Sequence, residues 1–187
     1  MQNIFIIFSI FAFLVVGVPS SGSAACGDVN LQTSYVPHPN GNFRIGLPSK
    51  NLEQNFSTES NEGQVKIRHF NYESFNKKTG MSISLNLSII DDDILAKAKE
   101  VSFDVIFSDS MGRGITRKSG VLLYRKKNLV IDGWDGEEFA VELTLVNGKN
   151  YLIVRNIFQE NNLYTLKALS DCMDNSRRLL NSFRINK

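Results

Sequence analysis

The cleanest pattern in the chain runs from Met81 to Ile89. There Met81, Ile83, Leu85, Leu87 and Ile89 alternate with Ser82, Ser84, Asn86 and Ser88. Strict period two predicts a strand with one face buried and one wet. Weaker alternations predict strands at Phe43–Leu47, stopped by Pro48, and from Val65 through Ile67 to Tyr72. At Asp91 the period changes. Ile94, Leu95, Ala98, Val101, Val105 and Ile106 recur at three- and four-residue steps, which predicts an amphipathic helix ending near Met111-Gly112. Asp91 or Asp92 suits its N-cap, the neighbouring aspartates suit the positive end of its dipole, and Gly112 suits its C-terminal turn.

Beyond that helix the sequence predicts strands around Ile115–Tyr124, Leu129–Ile131, Glu138–Val146, Tyr151–Gln159 and Leu163–Leu169. Glycine-rich residues Gly133 to Gly136 read as one turn, and Asn147-Gly148 and Asn161-Asn162 as two more. Asparagine and glycine tolerate the positive φ that tight hairpins need, so neighbouring strands here must be antiparallel. A second helix is predicted from Cys172 to Ser182, with Leu179 and Leu180 facing inward and Arg177 and Arg178 outward, followed by a short apolar close. Two stretches lack any period. Residues 27–42, with Pro37, Pro39, Asn40 and Gly41, read as a leader, and residues 49–63 as a loop or crossover.

The N-terminus adds a targeting signal. Ile4 to Val18 is almost unbroken apolar sequence, followed by small residues from Ser20 to Ala25. This matches a secretory signal peptide cleaved after Ala24 or Ala25, although no basic residue precedes the apolar run. A retained anchor is the rival, but the run falls short of the ~20 residues a spanning helix needs. Cleavage leaves about 160 residues, enough for one domain with its own core. Net charge is +2, too slight a bias to argue for nucleic acid. The basic run Arg125-Lys126-Lys127 reads as a solvated turn or strand end.

The chain has two cysteines, Cys26 and Cys172. In an exported protein they can pair as a disulfide. The alternatives are two unpaired thiols or a lipidated Cys26, against which Ser23 stands where a lipobox places a bulky aliphatic residue. Residues with catalytic potential are sparse. The two histidines, His38 and His69, lie apart from any serine elbow or zinc-binding motif. Asp132, Asp135, Glu137 and Glu138 crowd the Gly133–Gly136 stretch without a calcium-loop spacing. Trp134, the single tryptophan, and Asp135 form a candidate interaction turn, against the weightier reading that the ring packs over the sheet edge. No catalytic residue, metal ligand or cofactor site is expected.

Several of these segments together resemble the PsbP-like superfamily. They are Phe43 to Pro48, then Gly133-Trp134-Asp135-Gly136-Glu137-Glu138-Phe139, then Arg155 with Asn162-Leu163-Tyr164, and finally Ser182-Phe183. The resemblance covers about residues 43–185, and its motifs are turns and core positions. It implies an α+β fold, an α/β/α sandwich whose twisted, mainly antiparallel sheet is flanked by helices. It divides the chain into a signal peptide (1–25), a polar leader (26–42) and a PsbP-like domain (43–187). Members include photosystem II extrinsic proteins of the thylakoid lumen, a Ran-binding nuclear transport factor, effector-chaperone relatives, and envelope proteins and lipoproteins of bacteria. The function so implied is non-catalytic, a macromolecular binding or assembly factor in the cell envelope with a protein partner. A small-ligand or lipid-binding module is the alternative, since fold does not dictate function. The expected location is periplasmic or secreted, or the thylakoid lumen in a cyanobacterium, with no transmembrane helix after cleavage.

Overall fold

A computed structural model describes residues 26, 30–38, 42–62, 65–89, 120–145 and 148–186. Its strands are β1 (Gln32–Val36), β2 (Phe43–Leu47), β3 (Glu53–Glu62), β4 (Val65–Asn76), β5 (Met81–Ile89), β6 (Gly120–Ile131), β7 (Trp134–Leu145), β8 (Gly148–Gln159) and β9 (Asn162–Ser170). Helix α1 (Met173–Asn181) and the two-residue strand β10 (Arg184–Ile185) follow. The strands form two sheets, one in the order β1-β2-β10 and one in the order β3-β4-β5-β9-β8-β7-β6. Every pairing is antiparallel.

This corrects the expected α/β/α sandwich. The described residues are mostly strand, with one short helix, so the architecture is two antiparallel sheets rather than a sheet flanked by helices. The helix expected from Ile94 to Met111 lies outside the described residues, as do its aspartate cap and Gly112. The difference has a physical source in the edge strands. The segments from which β1 and β3 arise, QTSYV and EQNFSTESNE, carry almost no apolar residues and so show no period two. An edge strand is held by the backbone ladder to one neighbour, and that ladder leaves no trace in side-chain pattern. Residues read as leader and as loop therefore pair with β2 and β4. β6 likewise runs as one strand where two were expected. It is bulged between Leu122 and Tyr124 and between Lys126 and Leu129, with Asn128 at φ 55°.

One face of the large sheet carries the core. From β5 it receives Met81, Ile83, Leu85 and Leu87, joined across the register by Tyr72, Tyr164, Leu166, Ala168, Ile153, Ile157 and Ala140. The small sheet adds Val36, Phe43, Ile45, Leu47 and Ile185, and α1 adds Leu179 and Leu180. Four rings meet at the junction. Phe43 lies 5.3 Å from Tyr72, 6.4 Å from Tyr164 and 5.7 Å from Phe183, and Tyr164 lies 5.6 Å from Phe183. Beside them the chain entering from β2 touches the chain leaving α1. The Gly46 amide donates to Ser182 Oγ at 2.8 Å, and Ser182 Oγ donates to the Leu179 carbonyl at 2.5 Å. A Cβ on Gly46 would stand 2.7 Å from Ser182 Cβ, so only glycine fits.

Cys26 and Cys172 stand at disulfide distance, with Cα atoms 5.7 Å apart at a sequence separation of 146. Cys172 is the N-cap of α1, so the pair ties Cys26 to the start of this helix. In the chain-entropy view, closing so long a loop stabilises by roughly 3–5 kcal/mol. Free-thiol titration of the unreduced mature protein should find none. Reduction, or Cys172→Ser, should lower the urea-unfolding free energy by roughly that amount; an unchanged value would mean the pair is not bonded.

Burial pushes the Tyr164 hydroxyl up to about 12, with Glu160 adding to the effect. A folded-state value above the unfolded one near 10 leaves stability intact below about pH 10 and removes it as pH rises toward 12. Denaturation midpoints should hold level to about pH 10 and then fall, by on the order of 2 kcal/mol for this group. Tyr72 and Tyr124, also raised by burial, add to the fall, so Tyr164→Phe should flatten the curve without abolishing its slope.

Candidate interaction surface

The β6–β7 hairpin carries the residues that the sequence marks for function. Its turn is shorter than expected. Asp132 and Gly133 have φ of 52° and 89°, and Ile131 pairs with Trp134, so these two residues make the whole connection. Two positive φ values in a two-residue loop match the right-handed twist of the flanking strands, and Asp-Gly is a sequence that supplies them. Trp134 and Asp135 are thus the first residues of β7. The Trp134 ring is half-buried against the main core, and Asp135 is exposed. At Gly136 β7 leaves no room for a side chain, since a Cβ there would stand 2.6 Å from the Asn156 carbonyl oxygen of β8.

The four acids of this stretch do not converge. Asp132 lies 3.8 Å from Arg184 across the turn. Strand geometry sends Glu137 and Glu138 to opposite faces of the sheet. On the core face, Glu138 accepts from Tyr124 at 2.8 Å and from Arg155 Nε and Nη2 at 2.8 and 2.6 Å. Arg155 then reaches α1, donating to the Leu180 carbonyl at 3.1 Å and to Asn181 Oδ1 at 2.9 Å. This strap fastens the end of the helix to the sheet. Burial raises the Tyr124 hydroxyl, and the Glu138 carboxylate it serves raises it further.

On the opposite face Glu137 opens a polar row across the sheet, register-paired through Asn156, Thr165, Asn86 and Asn71. Arg125 and Asn156 each donate to Glu137 at 3.1 Å, and Thr165 donates to Asn156 at 2.9 Å. Asn86 donates to Asn71 at 2.6 Å, and Ser88 donates to Asn86 at 2.7 Å. The row is not the wet face that the β5 alternation predicted, because Asn71, Ser88, Asn156, Thr165 and Glu137 are buried. Beside it, Phe139, Val141, Leu152 and Val154 form a second apolar cluster. Lys167 also stands on this face, and burial lowers its amine below the usual lysine range, with Glu73 opposing the shift.

Both histidines are absorbed into the fold. His38 is buried edge-on against Phe70 at 4.4 Å, and burial lowers its imidazole, with Arg68 acting in the same direction. His69 Nδ1 shares a 2.9 Å hydrogen bond with Ser88 Oγ, and Ser88 is buried with its proton directed to Asn86. Among the described residues no group of three His, Cys, Asp or Glu is placed to hold a metal ion, and no helix is long and apolar enough to cross a membrane.

The outer strand of the hairpin exposes several apolar side chains. Val121, Leu122, Leu123 and Val130 are 63%, 51%, 40% and 74% exposed, and Lys126 and Lys127 are exposed beside them. The sequence signalled a strand ending in basic residues. That this strand lies at the rim of the sheet could not be read from it.

No family model matches the chain, and no curated protein matches it. Among solved structures the chain is similar to the solution structure of cyanobacterial PsbP (CyanoP) from Synechocystis sp. PCC 6803, at 13% identity and a TM-score of 0.49, over 89% of this chain and 98% of that one.

The Glu138–Arg155 strap makes a quantitative prediction. Removing one partner of a buried, hydrogen-bonded pair strands the other, so Arg155→Met should cost about 3–5 kcal/mol in urea unfolding. Combined with Glu138→Leu, the loss should be well below the sum of the two single losses; additive losses would mean the two side chains do not act as a pair.

Proposed function

We propose that the chain is an exported, non-catalytic binding or assembly factor of the cell envelope, of PsbP-like type, and that the β6–β7 hairpin is its interaction surface. One observation carries this reading. Glu137 and Glu138 of the hairpin's inner strand are spent on holding the fold, while its outer strand presents Val121, Leu122, Leu123 and Val130 to solvent. Contiguous exposed apolar side chains rimmed by charge mark surfaces that proteins cover with a partner. The motif residues point the same way, since Phe43, Gly46, Glu138, Arg155, Tyr164, Ser182 and Phe183 all build the fold.

Export is supported by the apolar run Ile4 to Val18 with its small-residue tail, and by the pairing distance of Cys26 and Cys172. In this reading residues 1–25 are removed and the mature protein works in the periplasm or outside the cell, or in the lumen if the source is a cyanobacterium. Its partner is a protein. A tagged mature chain recovered from its own envelope after mild cross-linking should run as a stable complex on native gels. Recovery as a lone monomer in repeated preparations would overturn the proposal. A melting temperature raised by envelope lipids or small molecules, with no complex formed, would favour the ligand-binding alternative.

A further inference from the structure

We propose that strand β1 is a redox-released strap. The Cys26–Cys172 bridge pins its leading end to the fold, and an external dithiol that opens the bridge lets that end peel from β2. The proposal stands apart from the binding reading above.

β1 has few holds of its own. Among the described residues it is an edge of the small sheet, with β2 as its single strand partner. Of its five residues only Val36 is buried, and Tyr35 is 57% exposed. The holds it does have are unevenly placed. Just beyond Val36, at the trailing end, His38 is buried edge-on against Phe70 at 4.4 Å, and its amide donates to Asn42 Oδ1 at 3.1 Å. At the leading end Gln32 and Thr33 are exposed, and Leu31 ahead of them rests only partly on the core. The covalent tie on that side is Cys26, joined to the start of α1. An edge strand with so little buried side chain opens locally, ahead of the fold as a whole, once its end is freed.

The bridge itself is asymmetric. Cys26 is exposed whereas Cys172 is buried, so an incoming thiolate reaches the Cys26 sulfur. A mixed disulfide forms there, and Cys172 leaves as a thiolate. The dithiol's second sulfur then attacks its partner sulfur in the mixed disulfide, which closes a cyclic disulfide and releases Cys26. Two electrons and two protons pass from the dithiol to the two cysteines. Cys172 is placed to be the leaving sulfur. It is the N-cap of α1 with an extended backbone, and no side chain caps the helix while the bridge is closed. A thiolate released at that position faces the first-turn amides and the positive end of the helix dipole, which stabilise it. Asp174 in the same turn opposes this, but it is exposed and paired with Arg177 at 3.3 Å.

The mature protein should be treated with dithiothreitol in the absence of denaturant. Amide hydrogen exchange should then be followed by residue in the oxidised and reduced forms, across low urea concentrations. Reduction should speed exchange of the β1 amides bonded to β2 by at least about tenfold, most at Gln32–Ser34 and least at Val36. Those rates should not respond to low urea, the mark of local opening, whereas β5 and β9 amides should follow the urea slope of global unfolding. The double variant Cys26→Ser with Cys172→Ser should reproduce the reduced profile. In the single variants, Cys26 of Cys172→Ser should react with a chromogenic disulfide at least about tenfold faster than Cys172 of Cys26→Ser. The proposal is overturned by a bridge that dithiothreitol opens only in urea, or by β1 rates that reduction leaves unchanged. It is equally overturned if β1 shares the urea slope of β5, if Cys172 reacts as fast as Cys26, or if the reduced chain no longer melts cooperatively.

Discussion

The contact among Phe43, Tyr72, Tyr164 and Phe183 is the constraint on which the rest of this structure hangs. Each ring comes from a different part of the chain: β2, β4, β9 and the residues leaving α1. Edge-to-face and tilted ring pairs at these separations add directional attraction to a large burial of apolar surface. Where the rings meet, the small sheet is seated on the large one, and the end of the helix is brought against β2. The close approach of Gly46 to Ser182 follows from that seating, as does the reach of Arg155 to the last carbonyls of α1. Among the described residues the second layer is one short helix and a three-stranded sheet, and these rings are the main apolar contact that fixes it in place.

Polar chemistry in this molecule is turned inward. Adjacent residues Glu137 and Glu138 serve two different networks because a strand sends successive side chains to opposite faces. One network straps the helix, and the other runs through Asn156 and Thr165 across the second face. Buried polar rows of this kind must be satisfied wherever they occur, since an unpaired group in a low-dielectric interior is costly. Satisfying them consumes the groups that would otherwise suggest a reaction. Ser88 and His69 show this most directly: the pair is hydrogen-bonded, but the serine is buried and directs its proton to an asparagine. The exposed apolar stretch lies on β6, which with β3 forms the two rims of the large sheet among the described residues.

The candidate site was only partly legible. The basic residues of β6 and the Gly133–Gly136 stretch stand out in sequence, but their meaning changed once the register was known. The hairpin closes at Asp132-Gly133, so Trp134 moves from the turn to a strand position where its ring packs half-buried on the core, and Asp135 follows it in the strand, exposed. The hairpin at the end of β8 moved similarly. Gln159 pairs with Asn162, so Glu160, at φ 51°, and Asn161 make that connection. A one-residue slip leaves a turn prediction nearly intact, yet it reverses which face every following side chain occupies.

Local pattern determined much of this protein. The β5 alternation marked a strand whose bounds the structure repeats, and turn residues announced the antiparallel hairpins from β6 to β9. Leu179 and Leu180 marked the buried side of α1. These features are short-range, set by side-chain period and by the φ values a residue tolerates. Tertiary structure alone decided the rest. It made strands of the polar segments around Tyr35 and Glu59, because an edge strand is held by its neighbour's backbone. It half-covered the Ser/Asn face of β5 that period two had read as wet, burying Ser88 outright, and it brought Cys26 to Cys172. It also placed Val121 to Leu123 at the rim of the sheet instead of its interior. Strand order depends on contacts between residues far apart in the chain, and a residue's exposure depends on what stands beside it; neither is written in the periodicity of the segment itself.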